Sequence, residues 1–421
     1  MPHPLSGGAL GWKCPRARDI LVVSALANFS TSNAHYSTVD LLGESSAMST
    51  LEIVDDLVSQ ERYETEWWYY HGYLNADERQ FAFHVAFFRR STDDVRIGSV
   101  FPLRWLAGQT RFSHFGLTDI TQRRFRYGHQ RSMFNHGGTR RDRYHVWIRD
   151  WSMEANDEGH RVSVALDDFL VDLRLSPSKP AVAHRVVCGL CDGPELPARY
   201  WSYPRMETQG RLTVDGRSMD VSGTAWMDRA YGRLSIARSD VDLEGWDWFG
   251  IQLDDGRDLM LHRLRKVGGA DAGPAFATLI GQDSEVEYLQ DSEVSIAPQA
   301  YWTSRRTGVR YPVAWNIRAP ERRINLTVTP VLCNQELDTR GTTCLAYWEG
   351  PSNVVGTVDD GAVGGRCFVE LVGYDRRRRL PGCFDFHSAN LSWLGLLNNE
   401  FRFWGSRGGN LAIEEESEGA R

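Results

Sequence analysis

No stretch of the 421-residue chain approaches the run of roughly eighteen uncharged apolar residues that a membrane-spanning helix requires. The Gly-rich loops GxGxxG and GxxxxGKS/T are both missing, so no nucleotide or other cofactor is expected. No GxSxG nucleophile elbow occurs, and no HExxH. His71, His84, His114 and His262 lack ligand spacing, so no metal is expected either. Charge of one sign is not in large excess: 48 Lys and Arg stand against 55 Asp and Glu, and no basic face emerges, which disfavours a nucleic-acid partner. Cysteine is scarce and odd in number, at positions 14, 188, 191, 333, 344, 367 and 383. That count argues against a complete disulfide framework and fits a reducing compartment. Cys188-Gly-Leu-Cys191 has redox or zinc spacing but no companion pair, and reads as plain thiols. Helical periodicity is equally scarce, with modest candidates only at Ile53 to Gln60 and Ala389 to Asn399.

What the chain has in quantity is rings: 15 Trp, 15 Tyr and 18 Phe, which need large cores or aromatic-lined cavities. It also alternates. Phe81, Phe83, Val85 and Phe87 point one way and their neighbours mostly the other, the period of a strand. Asp215-Gly216 and Asp255-Gly256 each separate two such runs and read as hairpin turns, since Asp-Gly tolerates positive φ. The fold class is therefore all-β, with many antiparallel strands. Glu66-Trp-Trp-Tyr-Tyr-His-Gly and Gly245-Trp-Asp-Trp-Phe-Gly open two similar halves, with a boundary between Gly232 and Glu244. A duplicated barrel module follows, with domains over 51–236 and 237–407, because closing a sheet removes its edges. Residues 1–50 read as a disordered extension without a functional signal peptide, with ordered structure starting near Met48. The stretch 408–421, with Glu414, Glu415, Glu416 and Glu418, reads as an acidic tail. The Arg-rich stretches at 123–126 and 376–379 read as solvated loops.

Four clusters set carboxylates among rings. In a strand, Glu66, Trp68 and Tyr70 share one face, and Trp67, Tyr69 and His71 the other. A carboxyl desolvated among indoles favours its neutral form and suits a general acid; the competing reading is that Glu66 pairs with an Arg and is structural. Asp228 and Arg229, near Trp226, read as structural, with Asp228 paired to Arg229 or to another Arg and so kept ionised. Trp246 and Trp248 face away from Asp247. Glu349 follows Tyr347 and Trp348, repeating the theme. Glu66, Tyr69, His71, Asp247 and Glu349 are the candidate catalytic residues. Trp67, Trp68, Trp226, Trp246, Trp248, Tyr347 and Trp348 are the candidate ring walls of a substrate site.

These segments, with Tyr203-Pro-Arg-Met, Gln252-Leu-Asp-Asp-Gly-Arg-Asp-Leu-Met-Leu, Tyr301-Trp-Thr-Ser, Tyr311-Pro-Val, Gln335-Glu-Leu-Asp and Glu370-Leu-Val-Gly-Tyr, resemble a known family in order across roughly residues 60 to 375. It is the two-domain lipocalin-like family of carotenoid 1,2-hydratases (hydroxyneurosporene synthases), AttH-like proteins and related polyketide Diels–Alderases. The resemblance implies two consecutive lipocalin-like β domains. It also implies either water addition to a polyene or cyclisation of a polyketide. The leading expectation is a cofactor-free cyclase that folds a lipophilic polyene or polyketide into a reactive conformer, with Tyr69, His71 or Glu66 polarising a carbonyl. The alternatives are a hydratase whose acid is Glu66, Asp247 or Glu349, and a non-catalytic carrier. A cytoplasmic biosynthetic role with a lipophilic small-molecule partner is expected. Oligomeric state is not legible.

Overall fold

The computed structural model describes residues 56–93, 96–97, 101–166, 169–185, 199–232, 243–266, 272–343, 345–375, 384–385 and 390–391. The described chain is nearly all strand, arranged as two large antiparallel sheets. In the first, Thr65–Ala76 lies between its hairpin partner Arg79–Ser91 and the sheet's last strand in sequence, Arg217–Gly232. Beyond the hairpin run Gln109–Asp119 and Arg124–Ser132; beyond the last strand run Arg199–Val214, Phe169–Pro177, Gly159–Leu166, Trp151–Asn156, His145–Ile148 and Gly137–Thr139. The two edges meet. A Cβ placed on Gly137 would lie 3.2 Å from that of Ser132, so the sheet is a nearly closed barrel.

The second sheet repeats the scheme. Leu243–Leu253 lies between its hairpin partner Asp258–Lys266 and the last strand, Gly361–Val372. Ala272–Ile280 and Val286–Leu289 extend one side; Ala346–Val358, Ile324–Pro330, Arg310–Ala319 and Ser295–Thr303 extend the other. This sheet closes only half-way. Both expected hairpins are present. Asp215 and Gly216 have φ of 54° and 74°, the left-handed pair a tight two-residue turn needs, and Gly256 has 90°.

Period-2 alternation gives each strand two faces. Phe81, Phe83, Val85 and Phe87 fill the barrel with Trp68, Tyr70, Phe115 and Trp201. Phe249, Ile251, Trp315, Trp348 and Val369 fill the half-barrel. The opposite faces of the central strands pack on each other: Tyr69, Tyr73 and Trp226 of the first sheet meet Trp248, Met260 and Phe368 of the second. A polar latch adds to this contact. Asp258 of the second sheet accepts hydrogen bonds from Lys179 Nζ at 2.8 Å and Arg205 Nε at 2.8 Å of the first.

Several expectations change. Of the Arg-rich stretch 123–126, Arg124 to Arg126 lie in the strand Arg124–Ser132, with Phe125 buried, rather than in a solvated loop. Of the Ile53 to Gln60 candidate helix, only Asp56 and Leu57 are helical among the described residues. The Ala389 to Asn399 candidate is described only at Asn390–Leu391, a short strand parallel to Arg96–Ile97 that returns the chain to the neighbourhood of the first sheet. Cys333 is disulfide-bonded, so the thiols are not all reduced. The extension 1–50, the tail 408–421, Cys188, Cys191 and Arg376 to Arg379 lie outside the described residues.

Candidate active site between the two sheets

The strand Thr65–Ala76 shows how the candidates divide. Its inward face carries Glu66, which is bonded to Arg89 Nε and to Arg229 Nη2 at 2.6 Å, with Ser59 Oγ at 2.6 Å and the Gln60 N–H at 2.8 Å. Burial alone would raise this carboxyl, but Arg229, Arg89 and the hydrogen bonds hold it below its ordinary range. Glu66 is therefore ionised and structural, and a proton-donor role is corrected. Trp68 lies under the Arg229 guanidinium, 4.2 Å from its ring centroid, inside the barrel. Trp348 is likewise interior, donating to the Cys333 carbonyl at 2.6 Å. Asp247 is paired with Arg263 and accepts from Tyr374 at 2.7 Å, so it too is held in a structural ion pair.

The remaining candidates converge between the sheets. Tyr69 OH donates to Glu349. His84 Nε2 lies 3.5 Å from the other Glu349 oxygen, and Tyr347 OH meets His114 Nδ1 at 2.8 Å. His71 is stacked with Trp226, ring centroids 6.1 Å apart, and ringed by Phe368 at 4.5 Å, Trp248 at 5.5 Å and Tyr69 at 5.4 Å. Neither of its ring nitrogens has a partner among the described residues. Trp67 and Trp246 pack at the margin of this cluster. Two glycines make the approach possible: a Cβ on Gly116 would sit 2.3 Å from His84 Cε1, and one on Gly250 would sit 2.5 Å from the Trp248 ring.

Two further acids belong here. Arg229 and Asp228 are neighbours in a strand, so they face opposite ways; Arg229 goes inward to Glu66 and Asp228 outward. The expected Asp228–Arg229 pair does not form. Asp228 instead accepts from Tyr200 OH at 2.8 Å, Trp226 Nε1 at 2.6 Å and Ser202 Oγ. Tyr200 OH in turn accepts from Trp248 Nε1 at 2.8 Å. Glu370, not singled out beforehand, lies directly across the strand pair from Glu349 and accepts from Trp246 Nε1 at 2.8 Å. Its signal was available: Val369 and Leu371 are core residues, so Glu370 must face the other way.

Among the described residues, no Lys or Arg forms an ion pair with Asp228, Glu349 or Glu370. Burial pushes Asp228 up to about 6, against the pull of its three hydrogen bonds. Burial and the neighbouring Glu370 push Glu349 well above the carboxylate range, and burial pushes Glu370 up to about 7. Burial also holds the histidines neutral: His71 and His114 well below their ordinary value, His84 down to about 3. The site thus keeps Glu349 protonated, with Asp228 and Glu370 raised toward neutrality, beside neutral imidazoles, phenols and indoles. Such a group can deliver a proton to a weak base in an apolar setting.

The AttH-like family model matches residues 44–374. The chain belongs to the AttH-like family. A crystal structure assigned to AttH from Nitrosomonas europaea superposes with a TM-score of 0.64 at 25% identity, covering 79% of this chain and 98% of its own. The crystal structure of kievitone hydratase from Nectria haematococca superposes with a TM-score of 0.60 at 15% identity, covering 82% of this chain and 98% of its own. No curated protein sequence matches the chain. For this AttH-like chain the comparisons agree on an all-β, lipocalin-like fold.

Proposed function

We propose that this AttH-like protein is an acid-catalysed hydratase that adds water to a carbon–carbon double bond of a lipophilic small molecule held between the two sheets. The observation that carries the reading is the trio of buried Asp228, buried Glu349 and half-buried Glu370, with no Lys or Arg ion-paired to any of them among the described residues. An alkene is a very weak base, and a carboxyl kept neutral by burial can protonate it where a solvated carboxylate cannot. The carboxyl proton forms a C–H bond at one alkene carbon and leaves a cation on the other. The faces of Trp226, Trp248 and Phe368 stabilise that charge. Water bonds to the cationic carbon and returns a proton to the carboxylate, so the acid is regenerated. That kievitone hydratase shares the fold fits this reading.

A cyclase is the second reading, and His71 favours it. A neutral imidazole with both nitrogens unpartnered among rings can polarise a carbonyl while the aromatic walls shape a flexible chain. High-resolution mass spectrometry of metabolites from a strain lacking the gene separates the two. Accumulation of a precursor lighter by one water than the lost product supports hydration. A precursor isomeric with the product replaces it with cyclisation, and unchanged compounds differing only in abundance would leave a carrier.

A further inference from the structure

The barrel interior holds a second polar cluster, at the end where Glu66 lies and away from the inter-sheet acids. Cross-strand register places Tyr231, Glu66, Arg89, Arg111 and Ser132 side by side on five neighbouring strands, with Ser113 across from Phe87 in the next row. All face inward, because they share the parity of the core residues Phe87 and Phe115. The charges here do not balance. Among the described residues, Glu66 is the single carboxylate bonded to both Arg89 and Arg229, and the Arg111 guanidinium hydrogen-bonds only the neutral Gln109, at 2.6 Å. Glu61 and Glu66 act on the Arg111 charge without bonding it, and Glu61 is itself paired with Arg141 at 2.7 Å.

Donors are left over as well. Arg89 Nη1, Arg111 Nε, Ser113 Oγ and Ser132 Oγ are buried without a partner among the described residues. Arg89 and Ser113 are 0% exposed and Ser132 is 1% exposed. Two guanidiniums set directly opposite each other repel, and unpaired buried donors cost stability unless something accepts from them. Burial and the Arg89 charge hold the Arg111 pKa below its ordinary value, as such crowding requires. Arginine forks next to hydroxyl donors are the chemistry that recognises a planar or tetrahedral oxyanion.

We propose that this end of the first barrel is an oxyanion-binding site, in which Arg89, Arg111, Ser113 and Ser132 take a carboxylate or phosphate group. The site is separate from the inter-sheet acids and stands whether or not those acids hydrate an alkene. Arg111 is the group to vary, since it is only half-buried and makes no hydrogen bond to Glu66. The test is isothermal titration of the full chain with inorganic phosphate, with sodium chloride at equal ionic strength as control. Saturable phosphate binding is expected, weakened about tenfold or more in Arg111→Gln, since a hydrogen bond to a charged partner is worth roughly that. Ser132→Ala, which removes one donor and leaves the charges intact, is expected to weaken it by a smaller factor. Acetate and decanoate then separate the sources. Much tighter decanoate binding identifies the anion as the head of an apolar chain reaching into the barrel, and equal binding identifies a free anion. Absence of saturable binding by all three probes overturns the proposal, as does binding unchanged in both variants.

Discussion

A carboxyl group buried without a cation pushes its own proton affinity up, and the three inter-sheet acids do so together. Asp228 and Glu370 release their protons near pH 6 and 7, so the acid form is lost as pH rises through that interval. If a proton donor limits turnover, activity falls from pH 6 to pH 8, and a pH–rate profile will show that limb. Asp228→Asn and Glu349→Gln are each expected to reduce kcat by roughly 100- to 10,000-fold, the usual worth of a general acid. Ligand affinity, followed by tryptophan fluorescence, should stay within a few-fold of the parent. Loss of affinity in proportion to turnover would mean that the acids bind rather than react. At this scale the sequence was only half legible. Glu349 stood out because two rings, Tyr347 and Trp348, precede it. Asp228 was misjudged because adjacency to Arg229 looked like pairing, whereas strand alternation sends the two to opposite faces. Tyr69 reaching Glu349 across 280 positions is a tertiary fact that no local pattern contains.

At the scale of the strand, position along the period decides what a residue does. Glu66 lies one step from Trp67 and two from Trp68, yet it serves the barrel interior and ties the segment before the first strand to the sheet. Arg229 Nε donates to the Asp56 carbonyl at 2.9 Å, and Arg89 Nη2 to that of Tyr63 at 2.7 Å. Glu66→Gln is expected to destabilise the fold by roughly 3–5 kcal/mol, because it leaves two buried guanidiniums facing a neutral group. Urea unfolding will measure the loss, and kcat of the remaining folded enzyme should be near normal. Gly116→Ala makes the converse case: its Cβ would overlap His84, so the imidazole must leave Glu349. A drop in kcat of tenfold or more, with a smaller loss of stability, is the expected result. The alternation that defines these strands was readable in the chain, as were both Asp-Gly hairpins. The short Asn390–Leu391 strand was not, since its partner lies nearly 300 residues earlier and its apolar run has no clear period.

Across the whole molecule, burial has shifted more histidines than carboxylates. His84 and His184 are held down to about 3, His129, His160 and His262 to about 4, and His71 and His114 well below the ordinary value. Below about pH 6.5 the unfolded chain binds protons that these folded imidazoles refuse. Each histidine therefore removes about 1.4 kcal/mol of stability per pH unit until its folded pKa is reached. The raised acids act in the opposite sense. Asp228 and Asp258, both near 6, stay protonated in the folded chain while the unfolded one ionises, so they offset the loss between about pH 6 and 4. Seven such histidines outnumber these two acids, so thermal melts should fall as pH drops from about 6.5 to 4, and His129, His160 and His262 stop adding to the loss below about 4. The duplication was legible because each half opens on similar rings. How the halves contact each other was not, because the inter-sheet face is built from the outward residues of both.

The half-closed second sheet leaves two edges, Val286–Leu289 and Ser295–Thr303. Free edges recruit strands from other molecules, so a chain at high concentration is exposed to stacking there. The first edge is four residues long and carries Glu287. The second is longer, and Pro298 interrupts it: proline offers no N–H, and the register slips between Pro298 and Ala300. Pro298→Val restores a donor to that edge without touching either acid or the barrel. Its expected effect is faster aggregation on warming, seen by light scattering, with activity of the soluble fraction intact. In this molecule a single imino acid does the work that barrel closure does in the other half: it keeps one copy from continuing the sheet of the next.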